Sequence, residues 1–153
     1  MDESRQLCTF YLADQLFGID VMNVQEVVRQ QEMTSVPLAP KDVVGLINLR
    51  GRIVTAIDLR ARLEMEPRED GGESQNVIVH GTSDTEVVSL VVDEIGDVLQ
   101  VEGDIFEKVP DTLPPAFREL IIGAYKMETN LILLLDVDKT IAISSAAPET
   151  ATT

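Results

Sequence analysis

The chain has no tryptophan, one histidine, one cysteine, two tyrosines and four phenylalanines in 153 residues. With His80 as the lone histidine, a histidine-rich metal site cannot be built. With Cys8 as the lone cysteine there is no intrachain disulfide, and a reducing compartment is the default. Few aromatics mean a core of Val, Ile and Leu, residues that favour strands. Long apolar runs are missing too: they reach about five residues, where a membrane helix needs roughly 20. The N-terminal MDESRQ is acidic where a secretory leader is basic. These absences predict a cytoplasmic protein without direct membrane insertion. Positive charge is also scarce, with 12 Lys/Arg against 27 Asp/Glu and a net charge of −15. Nucleic acid and anionic membrane are poor partners for such a surface. The deficit is uneven, since residues 1–62 carry a net of −1 and residues 63–153 a net of −14.

What is present is a repeat. Gly45 to Leu63, GLINLRGRIVTAIDLRARL, reads as strand, tight turn, strand and helix start. Gly51 suits the turn and Gly45 is also read as structural. Asp58 stands where an N-cap carboxylate accepts free backbone N–H groups. A shift of 78 residues aligns Gly45 with Gly123, Val54 with Ile132, Asp58 with Asp136 and Leu63 with Ile141. Two related units follow. A chain of this length can bury roughly 68–70% of its unfolded surface, whereas units of about 70 residues are marginal alone. The two units are therefore expected to share an apolar interface.

Along the chain, Leu7–Leu12 and Leu16–Ile19 read as a hairpin turning at Ala13-Asp14-Gln15. Val21, Val24, Val27 and Val28 fall at helical spacing behind Asp20 and predict a short amphipathic helix. Lys41–Val44 reads as one helical turn. The acidic stretch 64–75 reads as a mobile connection. Val77–Val79, Val87–Val92 and Val98–Val101 read as strands, with Asp93, Glu94, Gly96 and Asp97 between the last two. Pro110, Pro114 and Pro115 mark a long loop over 107–119, Asp136–Ile143 a closing helix, and 144–153 a disordered tail. The class is mainly β, with barrel-like units.

Catalytic and ligand motifs are weak throughout. His80, Ser83 and Asp84 contain triad chemistry, but neighbours in one turn seldom converge as a triad must. The acidic clusters lack the spacing of a calcium loop. Asp136 and Asp138 could share a cation, although a cap and a solvated neighbour explain them more simply. Gly71-Gly72 lacks the following Lys-Ser/Thr of a phosphate loop. No cofactor or metal is expected, and absence of a motif does not exclude an enzyme, although nothing in these motifs argues for one.

Four blocks in order resemble the CheW family, the coupling proteins of bacterial chemosensory arrays: FGIDVMNVQEVVR (Phe17–Arg29), VVGLINLRGRIVTAIDLR (Val43–Arg60), VVSLVVDEIGDVL (Val87–Leu99) and LILLLDVDKTI. The resemblance spans about Leu7 to Ile143. It implies one CheW-like domain over 7–143, made of two packed SH3-like five-stranded β-barrels with a few short helices. Barrel one would span about 14–66 and barrel two about 75–143, with strand 7–12 pairing with either. It also implies a non-catalytic adaptor that links the cytoplasmic tip of a chemoreceptor to the regulatory domain of the histidine kinase CheA, recruited to membrane-associated arrays and joining rings with other CheW-like domains. The implied receptor-facing residues are Glu26 and Arg50, with Val24, Val27 and Val28 lining an apolar groove for a receptor helix tip.

Alternatives are a relative serving pili or gene regulation and, remotely, a metal-dependent enzyme using Asp93, Glu94 and Asp97. Charge separates the repeats, since Arg50, Arg52, Arg60 and Arg62 correspond to Glu128, Asn130, Asp138 and Thr140. A basic end opposite an acidic or neutral one suggests head-to-tail contact, with Arg60 and Arg62 at a kinase or ring interface.

Overall fold

A computed structural model describes residues 4–29, 31–68, 73–81, 87–103, 106–109, 111–128 and 130–142. Its elements run β1 (Arg5–Leu12), β2 (Gln15–Asp20), β3 (Val24–Arg29), β4 (Val43–Leu49), β5 (Arg52–Asp58), α1 (Leu59–Arg62), β6 (Gln75–His80) and β7 (Val87–Val92). They continue with β8 (Glu94–Val101), β9 (Phe106–Glu107), α2 (Pro115–Leu120), β10 (Ile121–Lys126), β11 (Leu131–Leu135) and α3 (Val137–Ile141). The strands form a six-stranded sheet, β8-β1-β2-β11-β10-β9, and a five-stranded sheet, β3-β6-β7-β5-β4. The mainly β class is as expected, while the strand counts of the two sheets are six and five.

The strand pairing corrects the expected division of the chain. β2 lies in the six-stranded sheet, parallel to β11, and β6 and β7 lie in the five-stranded sheet, with β7 parallel to β5. The five-stranded sheet is therefore an uninterrupted insert between Val24 and Val92, and the other sheet is built from both sides of it.

Each sheet curls and is stitched shut in the same way. The chain leaving β3 returns at Thr34 to bridge Leu46 of β4, with both N–H···O bonds at 2.8 Å. The chain leaving β8 returns as β9, where Glu107 pairs with Ala124 of β10. The bridge and the pair meet corresponding positions, because Leu46 and Ala124 are 78 residues apart. Both hairpins also carry a bulge at matching places, Val43/Gly45 and Ile121/Gly123. Gly45 is required by close approach: a Cβ there would stand 2.7 Å from the Thr34 carbonyl oxygen.

Curling explains why the central strands are apolar on both faces. Val77, Val79, Val88, Leu90 and Val92 meet Phe10, Phe17, Leu133 and Leu135 in one core between the sheets. The opposite faces fill each sheet's own interior, with Ile47, Val54, Ile78 and Val91 in one and Leu7, Leu16, Ile132 and Leu134 in the other.

The helix expected from Val21 is replaced by one 3₁₀ turn, Val21–Asn23, and then β3. Asp20 caps that turn, accepting from the Met22 N–H at 2.9 Å. The β-branched valines beyond it prefer an extended backbone, and β3 pairs with β6. Three smaller readings also shift. Residues 41–42 form a turn, β8 begins directly after Asp93, and α2 occupies the end of the expected loop with Pro115 at its first turn. Gly71, Gly72, Ser83, Asp84, Pro110 and the tail 144–153 lie outside the described residues.

Candidate functional site

The β4–β5 hairpin turns in two residues, since Leu49 pairs with Arg52. Arg50 and Gly51 have φ of +54° and +86°, the doubly left-handed backbone that matches strand twist in such turns. The Asn48 side chain fixes the turn by accepting from the Gly51 N–H at 2.8 Å. Arg50 is thus presented at a rigid tip, and its guanidinium donates to the Glu26 carboxylate of β3.

This contact spans the sheet, because β3 and β4 are its two outermost strands. Curling brings together two residues that strand order places farthest apart. The arginine side chain remains 67% exposed and the glutamate 25%. An exposed pair of this kind contributes about 0–1 kcal/mol to stability. Its effect is to hold a charged group in a defined direction at the surface.

The three valines do not line one surface. Burial alternates along β3, leaving Val27 exposed while Val24 packs against the shared core and Val28 against the interior of the five-stranded sheet. The apolar groove is therefore not formed: Val27, the exposed valine, is on the opposite face of β3 from Glu26.

Arg60 and Arg62 do not form a free basic end. Arg60 donates through Nε to Asp93 Oδ1 at 3.0 Å and through Nη1 to the Glu66 carbonyl at 2.9 Å, and a further Arg60 N–H also meets Asp93. Arg68 joins from the stretch expected to be mobile, donating to Asp93 Oδ1 at 2.8 Å. The Ala13 N–H of the β1–β2 turn donates to Asp93 Oδ2 at 2.7 Å. Burial pushes the Asp93 carboxyl upward, but the bonds from Arg60, Ala13 and Arg68 outweigh it and bring its pKa down to about 2. Arg62 donates to the carbonyls of Thr140 and Lys139 at 3.1 and 3.0 Å. Both arginines clasp α1 to elements of the other half of the chain.

The acidic trio of the enzyme alternative does not form a metal site. Asp93 is held by two guanidiniums, and no group of three or more His, Cys, Asp or Glu suited to a metal ion occurs among the described residues. Asp136 is the α3 cap, accepting from the Lys139 N–H at 3.0 Å. No helix among the described residues is long and apolar enough to cross a membrane.

A family model described as the CheW-like domain matches residues 6–144. The chain belongs to the CheW-like domain family. A chemotaxis protein CheW of Treponema pallidum (strain Nichols) is 31% identical over 140 residues, covering 90% of this chain and 82% of that protein. The chemotaxis protein CheW of Rhizobium meliloti (strain 1021) is 33% identical over 134 residues, covering 88% and 85%. Among solved structures, the scaffolding protein TtCheW from Thermoanaerobacter tengcongensis superposes with a TM-score of 0.76 at 28% identity, covering 88% of this chain and 89% of that one. Membership of the CheW-like family places the chain among non-catalytic scaffolds. Within this CheW-like chain, sequence reading missed the Asp93–Arg68 contact and the burial of Asp42. Charged residues in a loop give no sign of which distant strand turn they will meet.

Proposed function

We propose that this chain is a chemosensory adaptor coupling the cytoplasmic tip of a chemoreceptor to the regulatory domain of the histidine kinase CheA. The observation that carries the reading is the Arg50–Glu26 pair at the closing edge of the five-stranded sheet. It holds an oriented charge at the surface, a feature suited to setting the register of a helical partner. The CheW names of the relatives and the scaffold title of the solved neighbour support the same reading. Recruitment to membrane-associated arrays and entry into rings of CheW-like domains belong to it. Arg60 and Arg62 enter as the clasp between halves rather than as partner contacts.

The test is Arg50→Glu, which places two carboxylates together at the tip. Its circular dichroism and thermal midpoint should stay near those of the unchanged protein. Co-sedimentation with receptor cytoplasmic fragments should weaken by about tenfold or more. Unchanged sedimentation would refute the assignment of Arg50.

A further inference from the structure

Residue 42 breaks the correspondence between the two halves. The 78-residue shift matches it to Leu120, and their backbones act alike. The Asp42 carbonyl accepts from the Asp58 N–H at 2.9 Å, and the Leu120 carbonyl accepts from the Asp136 N–H at 2.8 Å. The side chains diverge. Leu120 is 1% exposed in the shared core, whereas Asp42 is 8% exposed and its buried Oδ1 has no hydrogen-bond partner. A carboxylate oxygen left in this state destabilises the fold and gains from any donor that reaches it.

The charged groups around it are Arg62 and Lys41, which attract, and Glu64 and Asp58, which repel; burial pushes its carboxyl pKa up. Arg62 is the guanidinium of the set, one turn beyond the Asp58 cap of α1. It donates to two neutral carbonyls at the end of α3, in the other half of the molecule. Both seats take a charged donor, but a carboxylate adds an opposite charge and can accept a bidentate pair. Arg62 is thus seated on neutral acceptors, one helical turn beyond the residue whose N–H meets the Asp42 carbonyl, while Asp42 Oδ1 has no partner.

We propose that Arg62 is a two-position clasp, seated on the α3 carbonyls in this structure and able to exchange them for the Asp42 carboxylate, so that the end of α3 is tied to α1 or released from it. In the joined state the Asp42 oxygen stays unsatisfied. In the released state Arg62 satisfies it within its own half, and the end of α3 turns to water. Asp42 destabilises the joined state, and so keeps the exchange within reach. The device does not depend on which partners the chain binds.

Amide hydrogen exchange on the full chain at one fixed pH tests it, with α3 (Val137–Ile141) as the reporter and β10 (Ile121–Lys126) as the internal reference. Asp42→Leu takes the residue found at the matching position, removes the second seat, and should slow α3 exchange several-fold relative to β10. Arg62→Gln should speed it. In the Arg62→Gln background, Asp42→Leu should have no effect specific to α3. Three results would overturn the proposal: equal slowing in α3 and β10, no slowing in α3, or an α3-specific effect that persists without Arg62.

Discussion

Arg50 and Leu38 both hold a left-handed backbone, with φ of +54° and +63°, that costs a residue with a Cβ roughly 1–2 kcal/mol. For Arg50 the conformation is the hairpin's requirement, and the side chain finds Glu26. Leu38 follows Pro37 in a turn closed by the Ala39 N–H on the Val36 carbonyl at 3.3 Å, and its side chain is fully exposed. Leu38→Gly should therefore raise stability by about 1 kcal/mol, read as a higher midpoint in urea with an unchanged slope. Residue chemistry was legible in the sequence wherever its cause was local. Gly51, Asp58 and Asp136 act within a few positions of themselves, and the turn and caps appear as read. Glu26 and Arg50 could each be picked out, but their pairing could not. It depends on the curl of a whole sheet.

At the scale of elements, three segments converge on Asp93: the β1–β2 turn through Ala13, α1 through Arg60, and the stretch after α1 through Arg68. Asp93 has a folded pKa of about 2, against about 3.9 for an unfolded aspartate. A lowered acid pKa means stability that is complete above the unfolded value and lost as pH falls toward the folded one. Between about pH 5 and pH 3 the unchanged protein should lose more stability than Asp93→Asn, as followed by thermal midpoints. At neutral pH the substitution should cost about 1–2 kcal/mol, discounted for partial solvent screening.

Strand β3 shows why element type was only partly legible. Val24, Val27 and Val28 fit a helical face, and Val24, Glu26 and Val28 fit a strand face equally well. Pairing with β6 decides between them.

For the whole molecule, the decisive feature is the insertion of one sheet into the other. Parallel pairing of β2 with β11, and of β5 with β7, leaves no cut that yields two complete sheets. A fragment ending near residue 68 would contain β1 and β2 without β8 and β11, and β3 to β5 without β6 and β7. It should show no cooperative thermal transition, and adding the remaining fragment should restore one. The repeat itself was legible, because its glycines, caps and apolar positions recur in register. Sheet membership was not legible. It rests on pairings between strands far apart in the chain, which local pattern does not encode.

This nesting also sets an order in time. All five strands of the inner sheet lie between Val24 and Val92, while Gln15 reaches the Leu131 carbonyl across 116 positions. Closing that loop is the slow, entropically costly step. On a ribosome, the inner sheet can be complete while β1 still waits for β8 and β2 for β11 to be made. The earliest-synthesised hairpin is then the last to be fully paired, with Phe10 and Phe17 lacking Leu133 and Leu135 in the meantime. Pulse-labelling during refolding should protect β4 to β7 first and β2 and β11 last.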